Sequence, residues 1–184
     1  MAGLGAGGYV CLATLALLWR RRREWPTLPR RVWGMALAHM GAGMLMIGTV
    51  LAVSGQREAM GMLASGESLV MDGYTVTYES AHYARGPNYA EEAVVLNVAE
   101  GNRPHAYRLT PSRRFYMAER QQTTEAAIWN RWRGDLYATI GARSPQGKQA
   151  VRIQFRPLMR WLWLSVIIMA AGAALALTER RKER

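Results

Sequence analysis

The segment GMALAHMGAGMLMIG, residues 34–48, sets an imidazole, His39, in an otherwise apolar stretch. No other ionisable side chain lies between Trp33 and Val53. A histidine in such a place has three uses. It can hydrogen-bond across to another helix, relay protons, or offer a neutral ring nitrogen to a metal such as haem iron. Gly34, Ala38, Gly41 and Ala42 lie near it on a helical surface, at steps of about three to five. Small residues admit a second helix or a flat macrocycle equally well, so the local chemistry leaves the choice open. Elsewhere the reactive groups are sparse. Cys11 is the sole cysteine, and no Cys-x-x-Cys-His occurs, so the chain cannot carry a c-type haem by its own thioether bonds. His82 and His105 stand apart from other ligand-type residues and read as ordinary surface histidines. No metal-ligand cluster appears, nor a nucleophile beside a base.

What must position His39 is a set of long apolar runs. Residues 33–53 and 157–177 are each about 20 residues, long enough at 1.5 Å per residue to cross a hydrocarbon core of about 30 Å. A third run, 3–19, is shorter and rich in Gly and Ala. A signal peptide would carry its positive charges ahead of the apolar region. Here Arg20–Arg23 follow it, which fits an uncleaved anchor with its N-terminus outside. The loop 20–32 holds six arginines and one glutamate, and the tail 178–184 three arginines and one lysine. Positive charge stays on the cytoplasmic side, so both are expected inside and residues 54–156 outside. Trp19, Trp33, Trp161 and Trp163 fall at the ends of the runs, where interface belts favour indoles. The formal net charge of +11 is thereby explained by topology, and no nucleic-acid-binding motif appears.

Residues 54–156 alternate apolar and polar side chains between turn signals. ESLVMDGYTVTYES (67–80) turns at Asp72-Gly73, and EAVVLNVAEGNRPHAYRLTP (92–111) at Glu100-Gly101-Asn102. DLYATIG (135–141) and KQAVRIQFRP (148–157) add two strands, while TTEAAIWNRW (123–132) reads as a short helix capped by Thr123 or Thr124. Five or six strands are expected. The fold class is therefore a membrane protein of three transmembrane α-helices, with a β-rich small barrel or sandwich outside the membrane between helices two and three.

Taken in order, GMALAHMGAGMLMIG, GPNY (86–89), RRFY (113–116), TEAAI (124–128), DLYATIG and AVRIQFRPLMRWLW (150–163) resemble the C-terminal region of the CcmF family, the membrane haem-lyase subunits of cytochrome c maturation. The resemblance runs from about residue 32 to 178. It implies a chain of the bacterial inner membrane with a periplasmic domain. It implies partners too: the haem chaperone CcmE, apocytochrome c with its binding subunit, and an N-terminal CcmF chain. Leu37-Ala38-His39-Met40-Gly41 matches the family's Leu-Ala-His-x-Gly segment. By that match His39 is one axial ligand of a transmembrane haem b, whose other ligand lies on the N-terminal chain.

The departures also matter. The family's tryptophan-rich WWD segment, its two outer histidines and its second haem-b ligand have no counterpart here, and RRREWPTL is not that segment. The chain is thus expected to be a split or truncated C-terminal piece, not catalytic alone. Arg113, Arg114, Tyr116, Asp135 and Tyr137 are candidates for contacts with protein partners, against a purely structural role inside the domain. Arg152, Arg156 and Arg160 are candidates for haem propionates, against lipid or solvent. The competing reading is a non-haem membrane-anchored scaffold whose outer domain binds a partner, with His39 serving only as a polar link between helices.

Overall fold

The computed structural model describes residues 2–178. The basic segment 179–184 and the side chain of His105 lie outside the described residues. The chain forms two compact units, one of residues up to Gly55 together with those from Pro157 onward, the other of Gln56–Arg156.

The first unit is helical. It comprises α1 (Ala2–Arg20), α2 (Arg30–Ser54) and α3 (Met159–Leu177), with a 3-10 turn, Arg22–Thr27, between the first two. Their 19, 25 and 19 residues are long and apolar enough to cross a bilayer. Pro29 occupies the N-cap of α2, where its missing N–H costs nothing, and the Gly55 N–H closes the other end on the Leu51 carbonyl at 2.9 Å.

Glycine spacing decides which faces of α2 are covered. A methyl group on Gly34 would lie 2.5 Å from the Gly172 carbonyl oxygen, and one on Gly41 2.8 Å from that of Ser165. Gly48, seven residues further on, meets Leu162. This seven-residue series forms a seam against α3. A second seam joins α1, where a methyl group on Gly7 would come within 2.8 Å of the Gly43 oxygen. In lipid such close backbone approach, rather than exclusion of water, holds helices together. The hydroxyls of Thr14, Thr49 and Ser165 are satisfied by carbonyls four residues back, at 2.7–2.8 Å.

The second unit carries ten strands: β1 (Arg57–Leu63), β2 (Ser68–Met71), β3 (Tyr74–Arg85), β4 (Tyr89–Glu100), β5 (Arg103–Leu109), β6 (Ser112–Tyr116), β7 (Gln121–Glu125), β8 (Ala127–Trp129), β9 (Gly134–Arg143) and β10 (Gln149–Pro157). One sheet runs β1-β10-β9-β8 and the other β2-β3-β4-β6-β7, with β5 also on β4. One edge of β4 serves two partners: Tyr89–Ala93 pair with β6, and Leu96–Glu100 with β5. Alternation sends Val76, Val94, Leu96 and Val98 from one sheet, and Leu136, Ala138, Val151 and Ile153 from the other, into a common core. The rings of Tyr107 and Trp129 stack at 5.0 Å and nearly parallel, joining β5 to β8. Asp72 and Gly73 both have positive φ, 43° and 84°, as a two-residue hairpin requires. At the other end of the unit Leu158, φ 61°, turns the chain from β10 into α3.

Three apolar helices with a β-rich domain between the second and third are present as expected, and the domain is a sandwich. Two expectations fail. The strands number ten, not five or six. The helix expected over 123–132 is absent: β7 and β8 occupy that segment. Its backbone is satisfied by β6 on one side and β9 on the other, and Trp129 stacks on Tyr107. The β-branched pair Thr123-Thr124 suits this pleated setting.

Candidate functional site

His39 lies two residues before Gly41, about 200° round the helix, and so opposite the α3 seam. Its ring is exposed on the surface of the helical unit. Met46 and Val53, seven and fourteen residues on, continue the same exposed stripe. Nδ1 stands 2.8 Å from the Met35 carbonyl oxygen, one turn back. A carbonyl only accepts, so Nδ1 donates to it, and in the neutral ring Nε2 is then the nitrogen with the free lone pair. A ring held in this way suits a metal ligand, since ligating histidines generally donate their other N–H to a backbone carbonyl or carboxylate. Among the described residues its hydrogen bond is to its own helix. Among the described residues no group of three or more His, Cys, Asp and Glu side chains converges as a metal site. The described residues thus bring no complete donor set to His39.

The candidate contact residues of the sandwich separate into three places. Arg114 and Tyr116 share one face with Tyr89 and Glu91. Nε of Arg114 donates to Glu91 at 2.9 Å, its guanidinium lies 4.8 Å over the Tyr89 ring, and the rings of Tyr89 and Tyr116 are 5.7 Å apart. Ser112 donates to the same Glu91 oxygen at 2.6 Å. These two donors, the hydroxyl foremost, hold the Glu91 carboxyl below the usual carboxylate range. Arg113, one residue from Arg114, points to the opposite face and donates to the Gly141 carbonyl of β9 at 2.6 Å. The third place is β9 itself. There buried Asp135 accepts the Arg131 backbone N–H at 3.2 Å, and Tyr137 lies under the Arg156 guanidinium at 5.0 Å. Arg152 pairs with Glu58 at 2.8 Å, and Gln154 donates to the same oxygen. Every one of these side chains has an internal partner. His82 is exposed, with Nε2 3.3 Å from the Ser80 hydroxyl.

A groove of about 640 Å³, lined by Met60, Met62, Thr124, Thr139, Gly141 and Arg152, went unread in the sequence. The alternation in AMGML, which puts both methionines on one side of β1, was the available signal.

A helical unit sealed by glycine seams and a β-sandwich set between its second and third helices define a membrane protein with a β-sandwich domain. Residues 54–157 match the family model described as the CcmF C-terminal β-sandwich. The chain belongs to the CcmF family. It is 35% identical over 185 residues to a cytochrome c-type biogenesis protein of Rhodobacter capsulatus, covering 98% of this chain and 28% of that one. Cytochrome c-type biogenesis protein CcmF of Pseudomonas fluorescens is 34% identical over 156 residues, covering 85% of this chain and 24% of the relative. A solved structure named Cytochrome c Heme Lyase CcmF superposes with a TM-score of 0.76 at 16% identity, over 97% of this chain and 31% of that chain, which supports the fold. The chain spans about a quarter of the length of the curated relatives it matches.

Proposed function

We propose that this chain is the C-terminal part of a CcmF-type haem lyase acting in cytochrome c maturation, and that His39 gives one axial ligand to a haem b completed by an N-terminal CcmF chain. The observation that carries the reading is the state of His39. Its Nδ1 is committed to the Met35 carbonyl while its ring is exposed on an apolar helix. An imidazole facing hydrocarbon is costly, so its outer nitrogen calls for a partner beyond this chain. With His39 as one neutral nitrogen donor, a bound haem would supply one-electron redox chemistry there. The chain's own part is to hold the ring. The Met35 carbonyl fixes the tautomer and aims Nε2 outward, and the exposed Met46–Val53 stripe offers an apolar face to the completing chain.

The sandwich then stands in the periplasm of a bacterial inner membrane. It meets the haem chaperone CcmE, or apocytochrome c and its binding subunit. Arg113, Arg114, Tyr116, Asp135 and Tyr137 shape that surface through their internal contacts, and Arg156 braces Tyr137. Catalysis belongs to the assembly.

The test is a visible absorption spectrum of the membrane-purified chain, co-expressed with its N-terminal partner, as wild type and as His39→Ala. A reduced b-type spectrum that is lost or sharply weakened in the variant is expected. An unchanged spectrum in the variant would take His39 off the iron and leave it a polar link between helices, and no haem in the wild-type complex would leave the chain as a non-haem scaffold.

A further inference from the structure

We infer that the arginine- and tryptophan-rich turn between α1 and α2 is a binding site for the phosphate headgroup of an anionic phospholipid. Residues 20–31 carry Arg20, Arg21, Arg22, Arg23, Arg30 and Arg31 against one carboxylate, Glu24. All six arginines are exposed. Among the described residues no carboxylate pairs with Arg20, Arg21, Arg23 or Arg30. In the sandwich six arginines, Arg57, Arg108, Arg114, Arg131, Arg143 and Arg152, each meet a carboxylate. Among the described residues, then, these four cations of the turn, Arg20, Arg21, Arg23 and Arg30, have no carboxylate partner.

The turn is also built, not a loose basic tail. Its 3-10 segment is pinned to the end of α1, because Nε1 of Trp25 donates to the Leu18 carbonyl at 3.0 Å. Arg22 donates to the Trp19 carbonyl at 3.3 Å and lies 5.0 Å over the Trp19 ring. Trp25 meets Trp33 edge to face at 5.9 Å. Both flanking helices are apolar and long enough to cross a bilayer, so the turn between them lies at a membrane surface. Indoles sit at headgroup depth, and guanidinium groups bind phosphate oxygens in pairs. A lipid whose phosphodiester charge is unbalanced, such as phosphatidylglycerol, matches this surplus. Phosphatidylcholine brings its own cation and does not.

Native mass spectrometry of the full chain tests this. The chain is released from detergent micelles holding phosphatidylglycerol and phosphatidylcholine of the same acyl chains, with and without inorganic phosphate. Saturable retention of phosphatidylglycerol over phosphatidylcholine is expected, undisturbed by phosphate at matched concentration. Arg21→Gln with Arg23→Gln should weaken retention about fivefold per arginine removed. Should that variant fail to accumulate, the wild-type chain decides alone, since raised ionic strength must release phosphatidylglycerol first. Equal retention of the two lipids, uptake that never saturates, or displacement by inorganic phosphate would overturn the assignment.

Discussion

Two donors converge on one oxygen of Glu91, and the cost of removing that carboxylate is readable. Its folded pKa lies below the unfolded value of about 4.3. Its contribution is therefore complete above that value and is lost as the pH falls through the depressed folded pKa. Glu91→Gln should lower sandwich stability by about 1 kcal/mol at neutral pH and reduce the loss seen on acidification. Thermal melts across the acid range would check this, and superimposable curves for variant and wild type would show the carboxylate idle. Glu58 and Glu67 are lowered as well, the first chiefly by Arg152 and the second by the Ala64 backbone N–H, so the acid sensitivity will shrink without vanishing. At this scale the sequence disclosed less than the structure. It singled out His39 by its apolar surroundings. That the ring faces away from α3, with Nδ1 already engaged, depends on which faces the glycines commit to packing.

The elements show where sequence reasoning succeeds and where it stops. The Asp72-Gly73 hairpin was legible because both residues tolerate the positive φ that the turn demands. The apolar helices were legible from length alone. β6 and β7 were not, because their residues are mostly polar, and β8 was not, because its three apolar residues are too few to show alternation; tertiary pairing overrode local preference. The glycine seam makes a sharper prediction than any strand. A methyl group on Gly172 would already sit 2.5 Å from the Ala38 nitrogen. Gly172→Leu should therefore cost about 1–3 kcal/mol of helix packing and lower the melting temperature of the chain in detergent. Gly5→Leu makes the control, since a Cβ there meets nothing within 4 Å, and its melting temperature should stay near wild type. Equal losses in both would mean that the seam does not hold α2 to α3.

At the scale of the whole molecule the orientation across the membrane can be read with one thiol at a time. Cys11 is the sole cysteine, so Cys11→Ser gives a clean background. With Tyr83→Cys, at a position 69% exposed on the sandwich, a membrane-impermeant maleimide should label intact spheroplasts. With Arg23→Cys it should label only after permeabilisation, and the reverse pattern would invert the topology. One further property follows from β1 and β10 being hydrogen-bonded neighbours, with Arg57 opposite Phe155. The chain enters and leaves the sandwich through adjacent strands, about 5 Å apart. Unfolded, the roughly hundred residues of this domain would be a long tether between α2 and α3. Folded, they close like a turn of a few residues, which spares about 3 kcal/mol of loop entropy. Once folded, the sandwich thus aids its own membrane anchor, because it raises the effective concentration at which the two helices find each other.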